Sequence, residues 1–326
     1  MLIFIVGLAA TAYMMNALNA NTIKIERDKK TTDALAEAKE ALIGWAVKRN
    51  TPGQMPCPED TTKIGLPTEG QAQSSCTLPA IGRLPWHTLG IGDIRDGNGD
   101  KLWYALSAGF RTGIINSDTP AQLTVDGTAG KAVAIIFSPG PVLIGQSRSV
   151  PTAISPPDVT QYLDLSNNDG DNTFVSTGAA ASFNDHLLLI DHDKLFRVVE
   201  KRVAREALNC LEIFAAGSGG KYPWPAKLDP SAVVDYTYDV GTLFGRLPDS
   251  PMGGAWSGAC NIPVGGTGWW LSWKEQVFFT VADEYKPTGA ATVCGACLAV
   301  NPPSASGDKK IVVIVAGKAL TGQSRT

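Results

Sequence analysis

The sequence predicts an α+β protein, with a long N-terminal α-helix followed by two tandem units that each pack a helix on a small antiparallel sheet. Three observations predict this fold class. The first 20 residues carry no charge and lead directly into a stretch of helix-forming residues. Similar motifs recur at offsets of about 163 to 177 residues. The length of 326 residues suits about two domains.

The N-terminal helix is predicted to have a membrane half and an amphipathic half. Residues 2–18 are apolar and lie at the short end of what spans a bilayer. Residues 22–49 contain no proline, and Leu35, Ala38, Leu42 and Trp45 recur at helical spacing. We therefore predict one continuous helix from Leu2 to Lys48. A cleaved signal peptide is the alternative interpretation of the apolar segment.

The globular units are predicted from the internal repeat. The tetrapeptide GRLP occurs at residues 82–85 and again at 245–248, and the apolar segments 131–148 and 309–325 both contain GQSR. An amphipathic helix is predicted at residues 191–216, ahead of the second copy. We therefore predict three parts: an N-terminal transmembrane and assembly helix (1–50), a first globular unit (51–190) and a second unit with its own helix (191–326).

The six cysteines predict structural disulfides in an oxidising compartment. Short separations favour Cys57 with Cys76 and Cys294 with Cys297, which leaves Cys210 with Cys260. A redox or zinc half-site at the C-x-x-C motif is the alternative interpretation. The disulfides favour an extracytoplasmic globular part.

Composition and motifs argue against several function classes. Hydrophobic residues make up 44% and charged residues 18% of the chain, which argues against disorder. A net charge of −3 gives no general basic surface for nucleic acid. The three histidines show no spacing typical of a metal or catalytic motif. We therefore predict no catalytic residues and a protein that is not an enzyme.

Two binding sites are considered from side-chain chemistry. Oxygen-bearing side chains at Asp164, Asn167, Asp169 and Asp171 suit Ca²⁺ in an extracellular loop, and an Asx-rich turn is the alternative. Calcium is the one cofactor considered. Aromatic side chains at Trp269, Trp270 and Trp273 suit stacking on a carbohydrate or peptide, and buried packing is the alternative.

The segment DGNGDKLWY at residues 96–104 is similar to the D-x-x-G-N-x-L/Y-x-Y stretch of type II secretion pseudopilins. Together with the two-part helix and the cysteines, it makes the chain resemble the type IV pilin and pseudopilin family. The resemblance covers residues 1 to about 175, and the internal repeat extends it to the second unit, which gives two tandem pilin-like units. It also implies a structural or minor subunit of a type IV pilus or type II secretion-like filament, and its Ca²⁺ loop corresponds to residues 164–172.

The same resemblance implies partners and a location. The N-terminal helix would contact other pilin-like subunits and anchor the protein in the inner membrane, with the globular part periplasmic or at the cell surface. The family's basic leader has no counterpart before the apolar run. We therefore expect a natural start upstream of Met1 or a subunit that is not processed. The alternative function is a secreted or membrane-anchored binding module with a tryptophan-rich surface.

Overall fold

The computed structural model describes residues 2–179, 181–228, 236–263, 268–290, 293–295, 297–301 and 304–323. For residues 2–20 and 304–306 it describes the backbone and not the side chains. The chain forms two units, and the second includes two short segments from the N-terminal half, 46–54 and 112–119, besides residues 193–326.

Helix α1 (Leu2–Lys48) opens the chain. From Thr31 onward one side of it is buried, and the predicted apolar stripe is confirmed at Leu35, Ala38 and Leu42. Lys39 on the same helix donates from Nζ to the main-chain oxygen of Leu189 at 2.7 Å. Every side chain from Asn21 to Lys30 is exposed, so the described part of the helix packs only along its C-terminal half.

The first unit contains two sheets and one short helix, α2 (Trp86–Leu89). Its antiparallel sheet has the order β1-β2-β5-β7, formed by β1 (Ala80–Arg83), β2 (Trp103–Leu106), β5 (Ala134–Ser138) and β7 (His186–Ile190). A smaller sheet has the order β4-β3-β6, formed by β3 (Leu123–Val125), β4 (Thr128–Ala132) and β6 (Thr173–Phe174). Aromatic and aliphatic side chains from both sheets share one core.

The second unit begins with helix α3 (His192–Gly217), which confirms the helix predicted at residues 191–216. One sheet has the order β12-β9-β8, formed by β8 (Phe244–Arg246), β9 (Val277–Val281) and β12 (Ile311–Val315). A two-stranded sheet joins β10 (Leu298–Val300) and β11 (Ser304–Lys309). The segment 112–119 is held in this unit because Asp118 accepts hydrogen bonds from Gln276 at 2.7 Å and Ala319 at 2.6 Å. Ile115 in that segment is fully buried.

The repeated GRLP motifs occupy matching strand positions. Arg83 on β1 pairs in register with Trp103, and Arg246 on β8 pairs with Phe278. In both sheets the aromatic strand then pairs with an apolar strand, β5 or β12. The motif glycines are needed for close packing: a Cβ at Gly82 would lie 2.8 Å from Pro58, and one at Gly245 would lie 1.9 Å from a main-chain oxygen.

The predicted fold class is nevertheless wrong in its architecture. The first unit extends its sheet by β7 and carries a second three-stranded sheet, whereas the second unit adds only a two-stranded one. Two equivalent pilin-like units on a long two-part helix are therefore not found. Within the described residues, no helix has the length and apolar character needed to cross a membrane. The end of the second GQSR copy, at 324–325, lies outside the described residues.

Three disulfides join the pairs that sequence separation favoured: Cys57–Cys76, Cys210–Cys260 and Cys294–Cys297. The last pair closes within the C-x-x-C motif itself. Because such bonds persist in oxidising compartments, they indicate an extracytoplasmic location.

Candidate functional site

A pocket of about 430 Å³ lies in the first unit beside the GRLP motif. Its charged lining consists of Arg83, Arg95, Lys101, Arg148, Glu69 and Asp100. A volume of this size is typical of small-molecule sites. The pocket therefore combines a suitable size with a high density of charge.

Local structure fixes the pocket wall around Arg148, which belongs to the first GQSR copy. Its Nη1 donates to Asp100 at 2.5 Å and to the main-chain oxygen of Gly140 at 2.8 Å, and its Nε donates to the oxygen of Gln161 at 3.0 Å. The guanidinium also lies 5.1 Å from the ring centroid of Tyr162. Arg148 thus connects three loop segments, and its hydrogen bonds hold these segments together.

Two of the other cations are also paired with carboxylates. Lys101 Nζ lies 2.5 Å from Glu69 Oε1 and 3.4 Å from Asp93 Oδ1. Arg95 Nη2 lies 2.7 Å from Asp93 Oδ2. These pairs neutralise most of the positive charge around the pocket.

Arg83 differs from its neighbours. The residue is only 5% exposed, and its Nε is buried without a hydrogen-bond partner among the described residues. No described carboxylate forms an ion pair with it; the ring of Tyr162 lies 5.8 Å from its guanidinium. Glu59 acts on it electrostatically from a buried position, where burial raises the pKa of the Glu59 carboxyl against the opposing effect of Lys101 and Arg83.

The matching arginine of the second unit has a carboxylate partner, although its Nε is likewise buried without a hydrogen-bond partner among the described residues. Arg246 donates to the hydroxyl of Tyr236 and to the carboxylate of Glu275. The ring of Phe278 lies 5.6 Å from the same guanidinium. The second copy thus supplies a directly paired carboxylate, whereas among the described residues Glu59 and Glu69 act on Arg83 electrostatically without an ion pair.

The four predicted calcium ligands make hydrogen bonds within the protein. The Asp164 carboxylate accepts from Asn184 N–H at 2.8 Å and from Gln146 at 2.9 Å, and the Asn167 side-chain oxygen accepts from Val175 N–H at 2.9 Å. Asp169 and Asp171 each accept from the main-chain N–H two residues ahead, as in Asx turns. Among the described residues no group of three or more acidic, histidine or cysteine side chains is arranged for a metal. The calcium site stays a prediction.

A buried carboxyl group that the sequence did not single out lies beside this loop. Asp185 is 5% exposed, and its Oδ2 accepts from Asp164 N–H and from Asn167 Nδ2, each at 2.9 Å. Its Oδ1 is buried without a partner among the described residues. Burial raises the pKa of Asp185 to about 7, although hydrogen bonds from Asn167 and Asp164 oppose the shift.

The tryptophans considered for ligand stacking have packing roles. Trp270 and Trp273 are fully buried, and Trp270 Nε1 donates to Asp249 at 2.9 Å. Trp269 is half-buried and donates to the main-chain oxygen of Asn261 at 2.8 Å. These three residues therefore do not present a shared aromatic face to solvent.

Comparisons with protein-family models, with curated proteins and with solved structures found no match to this chain. Arguments about function therefore rest on the residues of this chain. Sequence reasoning noticed the two GRLP motifs but assigned no role to their arginines. The signal available in the sequence was the repeat itself, because two copies of one motif can be compared for the groups that each arginine contacts.

Proposed function

We propose that the protein is a non-enzymatic, extracytoplasmic structural subunit that associates with other pilin-like subunits through the N-terminal part of helix α1. One observation carries the proposal. Residues 21–30 are helical, yet every one of their side chains is exposed. This segment thus leaves its side chains open to a partner, although its main chain at Arg27 lies against Gly97 of the first unit.

The chemistry of the exposed segment suits association with another helix. Ile23 is 49% exposed and Ile25 is 67% exposed. They are two residues apart and so face different sides of the helix, and each offers a separate apolar contact flanked by the charged residues Lys24 and Glu26. Most helical stability in proteins comes from packing of an apolar face, so an unpacked segment gains from a partner.

The finer parts of the proposal come from the sequence. The resemblance around residues 96–104 supports a type IV pilus or type II secretion-like filament. The apolar residues 2–18 would supply both the filament contact and an anchor in the inner membrane. Their side chains lie outside the described residues, so these parts of the proposal are supported by the sequence alone.

The test is the self-association of the full chain, measured by sedimentation velocity over a range of concentrations. Ile25→Glu places a charge on the exposed helix without touching the core. Burying an isoleucine contributes about 1.5–3 kcal/mol, so we expect this variant to weaken association about tenfold or more. Ile154→Glu is the matched control, because Ile154 is 96% exposed in a loop outside α1.

A wild-type chain that stays monomeric at every concentration would refute the proposal. Equal weakening by Ile25→Glu and Ile154→Glu would also refute it, because the effect would then come from added charge alone. The alternative of a tryptophan-lined binding module is not advanced, since Trp270 and Trp273 are buried.

A further inference from the structure

We propose that the pocket at Arg83 binds a small organic monocarboxylate, whose carboxylate pairs with Arg83 and whose body contacts Tyr162, Val150 and Pro151. This inference goes beyond the structural role proposed above and does not depend on it. It rests on a buried arginine without an ion pair, a pocket of suitable size and the contrast with Arg246.

The first step is the cost of burying Arg83 alone. A charged group that is removed from water requires a partner that supplies hydrogen bonds and opposite charge. Arg83 is 5% exposed, and among the described residues no carboxylate forms an ion pair with it. Its Nε has no acceptor there, as is also true of Arg246, so the missing ion pair is what distinguishes Arg83. The ring of Tyr162 offsets part of the charge but accepts none of its in-plane hydrogen bonds. A ligand oxygen in the pocket would satisfy this need.

The second step is the charge of the ligand. The pocket cations other than Arg83 already have carboxylate partners: Arg95 with Asp93, Lys101 with Glu69, and Arg148 with Asp100. Among the described residues Arg83 is the pocket cation without an ion pair, although the buried Glu59 acts on it electrostatically, and this favours a ligand with a single negative charge. The planar guanidinium presents parallel N–H groups that match the two oxygens of a carboxylate.

The third step is the body of the ligand. Beside the charged groups, the pocket is lined by Ile64, Val150, Pro151 and Tyr162. These side chains offer apolar and aromatic surface next to the arginine, and the pocket volume of about 430 Å³ accommodates a ring-sized group. A carboxylate attached to a compact apolar or aromatic body therefore fits better than a free inorganic ion.

The fourth step is the comparison within the chain. Arg246 holds the same strand position as Arg83 and contacts Glu275 and the hydroxyl of Tyr236. The second unit thus shows what a GRLP arginine binds when its partner is part of the protein, namely a carboxylate beside an aromatic ring. A monocarboxylate with an aromatic or apolar body would reproduce that environment at Arg83.

The experiment is a calorimetric titration of the full-length protein with benzoate, and with benzamide as the neutral analogue of the same shape. We expect saturable binding of benzoate at one site per chain and binding of benzamide about tenfold weaker or more. Arg83→Gln should weaken benzoate binding about tenfold or more. Arg95→Gln is the matched control and should change it about threefold or less, because Asp93 already occupies that guanidinium.

A second pair of variants keeps the test valid if Arg83→Gln does not fold. Val150 is 88% exposed at the pocket rim, so substitutions there leave the core intact. Val150→Glu should weaken benzoate binding about threefold, and Val150→Lys should not weaken it.

Three results would overturn the proposal. They are the absence of saturable benzoate binding, equal affinity for benzoate and benzamide, and benzoate affinity that neither Arg83→Gln nor Val150→Glu changes. Inorganic phosphate is titrated in a further arm. If phosphate displaces benzoate at concentrations below those at which benzoate itself binds, the pocket is a phosphate site and the monocarboxylate assignment fails.

Discussion

The buried carboxyl of Asp185 predicts a specific pH dependence of stability. Its pKa is about 7, whereas an ordinary aspartate has a pKa of 3.8. The native state therefore holds this proton more tightly than the unfolded chain does. The contribution of this group to the free energy of unfolding is fully present below pH 3.8, declines as the pH rises, and is lost above about pH 7.

The magnitude follows from the two pKa values. Each pH unit between them corresponds to 1.36 kcal/mol, so the group contributes about 4 kcal/mol at low pH that is absent above pH 7. The structural origin is the burial of the carboxyl together with the nearby Asp164 charge, which outweigh the two hydrogen bonds accepted by Oδ2. Asp185→Asn removes the charge at every pH and keeps the shape.

The assay is urea unfolding of wild type and Asp185→Asn between about pH 4 and pH 8. The stability of the variant relative to wild type should rise by about 4 kcal/mol across this range. Asp126→Asn is the control, because hydrogen bonds from Ser176 lower the pKa of Asp126. Its carboxylate stabilises the protein above the ordinary pKa of 3.8 and loses this effect only as the pH falls below it, so the control should stay nearly constant relative to wild type between about pH 4 and pH 8.

Parallel stability profiles for wild type and Asp185→Asn would refute the reasoning, because Asp185 would then titrate alike in folded and unfolded chains. A variant that becomes less stable relative to wild type as the pH rises would show that the ionised carboxylate is favoured in the fold. Either result would show that burial does not raise the pKa of Asp185 in the folded protein.

The remaining predictions concern chain packing and crosslinks. Gly97→Ala should lower the free energy of unfolding by about 1–3 kcal/mol, because its Cβ would lie 2.2 Å from a main-chain oxygen of helix α1; Gly92→Ala, with open space around it, should be nearly neutral in the same denaturant assay. Replacing both cysteines of Cys57–Cys76 with serine should cost about 3 kcal/mol and replacing those of Cys210–Cys260 about 4 kcal/mol, since the closed loops span 19 and 50 residues. Equal midpoints for the two glycine variants, or a larger loss from the shorter loop, would contradict these expectations.

Features set by local sequence were predicted well. Helical spacing located α3, because a stripe of apolar residues needs no knowledge of its partner. Short separations pointed to Cys57–Cys76 and Cys294–Cys297, which left Cys210–Cys260 as the third pair. The repeat also predicted that the two GRLP copies hold equivalent positions, and in the structure their Gly-Arg halves end β1 and β8. The overall plan was not predicted, because β7 joins the first sheet through long-range pairing that leaves no periodic signal.

The candidate site was harder to predict because its residues come from distant positions. Arg83, Arg148 and Tyr162 each lie in a different segment, and only the fold brings them to one pocket. The hydrogen bonding of the acidic loop was hard to predict for a similar reason. The hydrogen bonds of Asp164 with Asn184, and of Asn167 with Asp185, could not be read from the spacing of the loop itself.

The discontinuous second unit has a consequence for the order of folding during synthesis. Segments 46–54 and 112–119 leave the ribosome before any of residues 193–326 exist. Ile115 must therefore stay without its native core, and Asp118 without its donors Gln276 and Ala319, until the last strands arrive. The second unit can therefore fold completely only after its C-terminal strands have been synthesised. A nascent chain released before that point would leave Ile115 exposed and prone to aggregation.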